Sequence, residues 1–108
     1  MPVEVITIGE SVARETYPKL NDAAVAISTG ATVTASVQSC DPTNPTIHIA
    51  PVTIVHTDAG NDWPNGVVFV EFTAAQTANV PAGRQILRVT VTDGSDVSKY
   101  SESVDFEA

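Results

Sequence analysis

A loop rich in acidic and amide side chains is the first place in this sequence where chemistry could occur. Residues 58–66 are D-A-G-N-D-W-P-N-G, and their carboxylates and amides are oxygen donors of the kind that bind Ca²⁺. The spacing fails the helix-loop-helix calcium motif, because no Glu follows at the required distance. Asp, Asn and Gly also dominate ordinary turns. We therefore predict a structural turn here and no metal site.

The segment after this loop is a candidate partner interface. Residues 66–73 are apolar on both faces of a strand, with Val67 and Phe69 on the second face. Such a strand needs a core on one side and a loop or neighbour on the other. Trp63, the single tryptophan, either caps the end of the core or is an exposed anchor, and the core position is favoured. The candidate interface residues are Trp63, Val67 and Phe69.

The usual catalytic and metal-binding groups are sparse. His48 and His56 would lie about 26 Å apart on one strand, too far to share a metal. Cys40 is the single cysteine, which excludes an intrachain disulfide and a two-thiolate metal site, and no base neighbours it in sequence. The six glycines form neither a phosphate loop nor a dinucleotide motif. We expect no enzyme activity and no cofactor.

Charge and size restrict the classes of partner. The 108 residues carry 5 Lys and Arg against 13 Asp and Glu, a net charge of −8, which disfavours nucleic acid and anionic membranes as partners. The acids are dispersed, as in the solvated coat of a folded domain. An apolar fraction of 43% is enough for a core, and residues 1–108 are expected to form one domain. The N-terminus lacks the pattern of a signal peptide, so synthesis in a cytoplasm is expected.

Composition and periodicity predict an all-β fold. The chain has 16 Val, 7 Ile and 13 Thr but only 2 Leu, and branched side chains suit a pleated sheet. Apolar and polar residues alternate over 31–38 and 86–92. Asp93-Gly94 then predicts a tight hairpin that returns through residues 97–106.

Other segments contain breaks and turns. Pro51 within residues 46–57 predicts an edge strand or a break, with two short strands favoured over one. Residues 9–14 are predicted to be a turn. Thr73 and Gln76 have capping-box spacing, which predicts one helical turn near residues 74–79. The pattern as a whole predicts an Ig-like (immunoglobulin-like) β-sandwich of about seven short antiparallel strands, with a small closed barrel as the alternative.

Two segments resemble a known family. Residues 25–37 (VAISTGATVTASV) and 72–84 (FTAAQTANVPAGR) are similar to segments of small bacteriophage tail and baseplate domains, including the N-terminal Ig-like domain of upper-baseplate proteins. The resemblance implies an Ig-like building block of a virion that docks to itself or to other structural proteins.

We therefore expect a non-enzymatic structural protein of a phage or prophage virion, in the tail, baseplate or neck. It would be made in the host cytoplasm and form homo-oligomers or associate with a ring. Its partners would be other virion proteins, with no nucleic acid and no membrane. The alternative is a carbohydrate-binding or adhesin-like module that uses Trp63, Tyr17, Tyr100 and the loop 58–65. An aromatic content of only 6% counts against this alternative.

Overall fold

The computed structural model describes residues 5–20, 23–41 and 43–108, and this part of the chain is mostly β. Nine strands and two short helical segments are described: β1 (Val5–Thr7), β2 (Val12–Thr16), β3 (Lys19–Leu20), β4 (Ala23–Ala24), β5 (Thr32–Ser39), β6 (Ile47–Ile54), a 3-10 helix (Trp63–Asn65), β7 (Val68–Phe72), α1 (Ala74–Thr77), β8 (Gly83–Asp93) and β9 (Asp96–Glu107).

The strands form one large sheet and two small ones. The large sheet has the order β1-β9-β8-β5-β6, while β2 pairs with β7 and β3 pairs with β4. All pairs are antiparallel except β1 with β9, which run parallel. The prediction of about seven antiparallel strands was wrong in two respects, since nine strands are described and one pair is parallel. The two-residue hairpin β3–β4 accounts for the extra strands.

One apolar cluster lies between the large sheet and the β2–β7 pair. Alternate residues of β5, β7, β8 and the end of β9 point into it, as period-2 patterning requires. Its buried members from these strands are Val33, Ala35, Val37, Val68, Val70, Phe72, Leu87, Val89, Val91, Val104 and Phe106. The alternation predicted over residues 31–38 and 86–92 is confirmed on this face. Ser36 and Gln38, predicted to face outward, are also buried.

The hairpin of β8 and β9 is the longest paired unit of the described chain. Its register runs without a shift from Gly83 opposite Phe106 to Asp93 opposite Asp96. Gly94 adopts φ +63°, the left-handed region that a two-residue hairpin turn requires. The predicted hairpin and its returning strand are confirmed.

Strand β6 lies at the other edge of the large sheet, and Pro51 does not break it. Two extra β6 residues are accommodated as bulges, between Ala35 and Val37 and between Val37 and Gln38 of β5. Pro51 falls within the first bulged stretch, where regular ladder pairing is interrupted. The predicted edge position is confirmed, and the predicted division into two strands was wrong.

The helical turn α1 is hydrogen-bonded to the turn between β1 and β2 through a buried threonine. Thr73 and Gln76 form both halves of the predicted capping box. Thr77 is fully buried, and its Oγ1 accepts a hydrogen bond from the Gly9 N–H (3.1 Å) and donates one to the Glu10 carbonyl (2.8 Å). These bonds join α1 to the turn between β1 and β2.

Replacing this hydroxyl by a methyl should destabilise the whole domain. Thr77→Val removes the partner of the Gly9 N–H and of the Glu10 carbonyl in two part-buried hydrogen bonds, and we expect a loss of about 1–3 kcal/mol in the free energy of unfolding. Chemical denaturation measures it. Thr53→Val on the exposed side of β6 is the matched control and should change stability by less than about 0.5 kcal/mol. Equal stability of the two variants would contradict the role given to Thr77.

Candidate functional site

Trp63 is a core residue in this structure. It is 2% exposed and opens the 3-10 helix after Asp62. Its Nε1 donates a hydrogen bond to Asn61 Oδ1 (3.1 Å), and the His56 ring packs edge-on at a centroid distance of 5.6 Å. The indole is thus buried and satisfied, as the favoured core position requires. It is not an exposed anchor for a partner.

The same loop covers the second face of β7. Asn61 Oδ1 also accepts the Phe69 N–H (2.9 Å), and Val67 makes an isolated bridge with Asp62. A Cβ placed on Gly60 would lie 2.7 Å from the Phe69 ring, so this ring packs directly against the glycine. The three candidate interface residues therefore lie close together, with Val67 and Phe69 half-buried. They pack against this chain's own loop.

The contact between Gly60 and Phe69 can be measured with two glycines of nearly equal backbone φ. Gly60 (φ +87°) meets the Phe69 ring, whereas Gly9 (φ +85°) has nothing within 4 Å of an added Cβ. Gly9→Ala should lose about 1–2 kcal/mol of stability from the left-handed backbone alone. Gly60→Ala should lose at least about 1 kcal/mol more, because its Cβ overpacks against the ring.

Urea unfolding of both variants, repeated in a Phe69→Ala background, tests this assignment. The difference between the two glycine substitutions should shrink when the ring is absent. A difference of the same size in both backgrounds would show that Phe69 is not what Gly60 accommodates.

The other groups considered in the sequence lie apart from one another. His48 is half-buried on β6, His56 packs edge-on against Trp63, and the exposed Cys40 thiol donates to the Arg84 carbonyl (3.1 Å). Within residues 5–20, 23–41 and 43–108, no group of three or more His, Cys, Asp or Glu is placed to hold a metal ion. No helix in this part of the chain is long and apolar enough to span a bilayer.

The structure instead brings both tyrosines of the chain into one cleft. Its volume is about 360 Å³, and it opens between the β2–β3 segment and the β8–β9 hairpin. Leu87 and Val89 of β8 contribute apolar side chains from the core. The complete lining is Thr16, Tyr17, Pro18, Lys19, Leu87, Val89, Lys99, Tyr100, Ser101 and Glu102.

An ion pair joins β2 of the small sheet to β9 of the large sheet beside this cleft. Arg14 of β2 contacts Glu102 of β9 through its Nη2 at 3.0 Å, and the arginine side chain is only 13% exposed. Its Nε and Nη1 are buried without a partner among the described residues.

Arg14 lies on β2, which begins at Val12, so the predicted turn over residues 9–14 was wrong from Val12 onward. The inward positions of β2 are Val12, Arg14 and Thr16, so its buried face has only one apolar residue.

Tyr17 is the exposed aromatic wall of the cleft. The residue is 53% exposed, and its hydroxyl donates a hydrogen bond to Glu15 Oε2. This hydrogen bond to a carboxylate raises the pKa of Tyr17 above its ordinary value, because the neutral phenol is the form that donates. Tyr100 faces the cleft from β9 and is half-buried against the core.

Comparison with known proteins adds no family assignment. No protein-family model matches this sequence, and no curated protein matches it. The fold, its strand edges and the cleft are therefore the grounds on which a function is inferred.

Proposed function

We propose that this chain is an Ig-like β-sandwich that serves as a non-enzymatic structural protein of a phage or prophage virion. It acts in a tail, baseplate or neck by pairing its sheet edge with another copy or with another virion protein. The observation that carries the proposal is the open outer edge of β9. Only its last residues, from Asp105 to Glu107, pair with β1, and residues 97–103 have no outer partner in the described chain.

The strand order supports an Ig-like arrangement. In an immunoglobulin sandwich one sheet contains strands C, F and G, with C′ added in the variable type, and the other contains B and E. Taking β2, β5, β6, β7, β8 and β9 as B, C, C′, E, F and G reproduces the order G-F-C-C′ and the B–E pair. Among the described residues, β2 and β7 have no further neighbours at the positions of strands A and D.

The two edges of the large sheet differ in how they are protected. Natural edge strands avoid unwanted pairing through bulges, prolines and charges. Strand β6 has two bulges and Pro51, whereas β9 pairs with β8 without a register shift and contains no proline. Val97 on β9 is 56% exposed. The open stretch of β9 does carry two charges, Lys99 and Glu102, but its regular and proline-free backbone makes it the better template for adding a strand from another chain.

The resemblance of residues 25–37 and 72–84 to phage tail and baseplate segments supports a location in the virion. A structural role is consistent with the position of those residues in this fold. The second segment contains α1 with its capping box, and the first leads into and forms most of β5. Both segments form secondary structure of the domain. The resemblance is therefore one between structural segments of the domain.

A charge at the β9 edge should weaken association selectively. Val97→Lys places a second cation beside Lys99 on the open stretch of β9 and should raise the concentration needed for assembly about tenfold or more. Ile47→Lys is the matched control, because Ile47 is 52% exposed on the protected edge strand β6 and should leave assembly unchanged. Sedimentation equilibrium over a range of protein concentrations measures both.

The same protein should also be found by mass spectrometry in purified particles of the phage that encodes it. A solution mass that stays at the 11.3 kDa monomer, together with absence from particles, would contradict the proposal. An equal effect of both substitutions on assembly would contradict the choice of the β9 edge.

A further inference from the structure

The open stretch of β9, residues 97–103, has the length of a strand that pairs with a copy of itself. At one end, β1 already pairs with Asp105 to Glu107, and at the other end the chain turns at Gly94. An added strand that fills this edge of the described chain is therefore about seven residues long. A second copy in antiparallel orientation supplies a strand of this length and places the middle residue, Tyr100, on a two-fold axis.

The backbone of this stretch has the phase that antiparallel self-pairing requires. The Glu107 carbonyl accepts a hydrogen bond from the Ile8 N–H (2.7 Å), so it points away from β8. Backbone groups of successive residues point to alternate sides of a strand, and β9 pairs with β8 without a register shift. The odd-numbered residues of 97–103 therefore present their N–H and C=O groups to the open edge. A two-fold pair must join odd-numbered residues to odd-numbered residues.

Charge is well placed in the register that has Tyr100 at its centre. Lys99 then lies opposite the partner's Ser101, and Glu102 lies opposite the partner's Ser98. Neither pair brings like charges together, which would destabilise a cross-strand pair. Every odd-numbered residue of the stretch exchanges hydrogen bonds with an odd-numbered residue of the other copy. This register therefore uses the whole open edge.

The neighbouring registers are less favourable. When the centre moves to Lys99, this lysine faces the partner's Lys99, and Asp96 faces the partner's Glu102, so both pairs are of like charge. When the centre moves the other way, to Ser101, Val97 meets the partner's Asp105. The outer side of Asp105 is already occupied by β1. Charge and the position of β1 thus select the register centred on Tyr100.

We propose that the partner at the β9 edge is a second copy of this chain, paired antiparallel about a two-fold axis at Tyr100. The two five-stranded sheets then join into one continuous sheet. Tyr100 meets the partner's Tyr100 as a non-hydrogen-bonded pair, in which side chains approach most closely. This inference rests on the edge pairing of the proposed function and adds to it the identity of the partner and the register.

A cysteine scan measures the register directly. The variants Lys99→Cys, Tyr100→Cys and Ser101→Cys each carry one thiol in a chain in which Cys40→Ser removes the natural one. On the two-fold axis, a residue and its copy have Cα atoms about 4.5 Å apart, which suits a disulfide. One position away they are about 8 Å apart, beyond the limit of about 7 Å. Under mild oxidation only Tyr100→Cys should therefore form a covalent dimer, as seen by non-reducing mass spectrometry.

A second pair of variants keeps the test valid if Tyr100→Cys, at a half-buried position, fails to fold. Lys99 and Ser101 are both exposed. Because Lys99 lies opposite the partner's Ser101, a mixture of Lys99→Cys and Ser101→Cys should cross-link to a mixed dimer, although neither variant cross-links alone. Adding Val97→Lys to both should reduce the yield about tenfold.

Charge substitutions at Ser101 provide an independent readout. Ser101→Glu faces the partner's Lys99 twice in the dimer and should tighten association about 2- to 30-fold, and Ser101→Lys should weaken it by a similar factor. The repulsion between two chains of net charge −8 predicts the opposite order. Thr53→Glu and Thr53→Lys, exposed on the far edge strand β6, measure that general effect. Sedimentation equilibrium gives the four dissociation constants.

The outcomes separate this inference from the proposed function. Self-cross-linking at Lys99→Cys or Ser101→Cys, with none at Tyr100→Cys, would overturn the register and leave edge pairing intact. A protein that is monomeric at every concentration yet present in phage particles would overturn the second copy as partner, but not the virion role. A dimer that cross-links at Tyr100→Cys but is absent from particles would support the pairing and overturn the virion role.

Discussion

The structure depends on one geometric constraint, which is that a two-stranded sheet cannot cover the inner face of a five-stranded one. Neighbouring strands lie about 4.8 Å apart, so five strands extend over about 19 Å and two strands over about 5 Å. The remaining apolar surface must be covered by other parts of the chain or left open. The cover consists of α1 at one place and the loop around Trp63 and Ile27 at another. Where neither reaches, the tyrosine cleft remains.

The same constraint explains why polar side chains occupy positions that an apolar residue would usually fill. Thr77 anchors the helical turn by hydrogen bonds to the β1–β2 turn, and Thr16 donates from its buried hydroxyl to the Val68 carbonyl (2.8 Å). Arg14 spans the gap to Glu102 beside the cleft. Of these bonds, only the Arg14–Glu102 ion pair crosses from the small sheet to the large one, and it gives the packing of the two sheets a direction that apolar contacts lack.

The sequence predicted those parts of the fold that are specified by residue patterns a few positions long, such as alternation, turns and helix caps. The strands β5, β8 and β9, the Gly94 turn and the capping box of α1 each follow from spacing in the sequence. Strand β2 was missed because two of its inward residues, Arg14 and Thr16, are polar and hide the alternation. The continuity of β6 through Pro51 was missed because a bulge depends on the partner strand β5.

The cleft could not be predicted from spacing at all. Tyr17 and Tyr100 lie near opposite ends of the chain, and only the packing of the small sheet on the β8–β9 hairpin brings them together.

Native-state hydrogen exchange along β9 tests most directly the claim that carries the proposed function, that the outer edge of residues 97–103 is open. In an antiparallel edge strand the N–H groups point alternately to the neighbouring strand and to solvent. Amides of residues 97–103 in the dilute monomer should therefore alternate between slow and fast exchange. Slow exchange at every one of these amides would show that a further element covers the edge and would contradict this account.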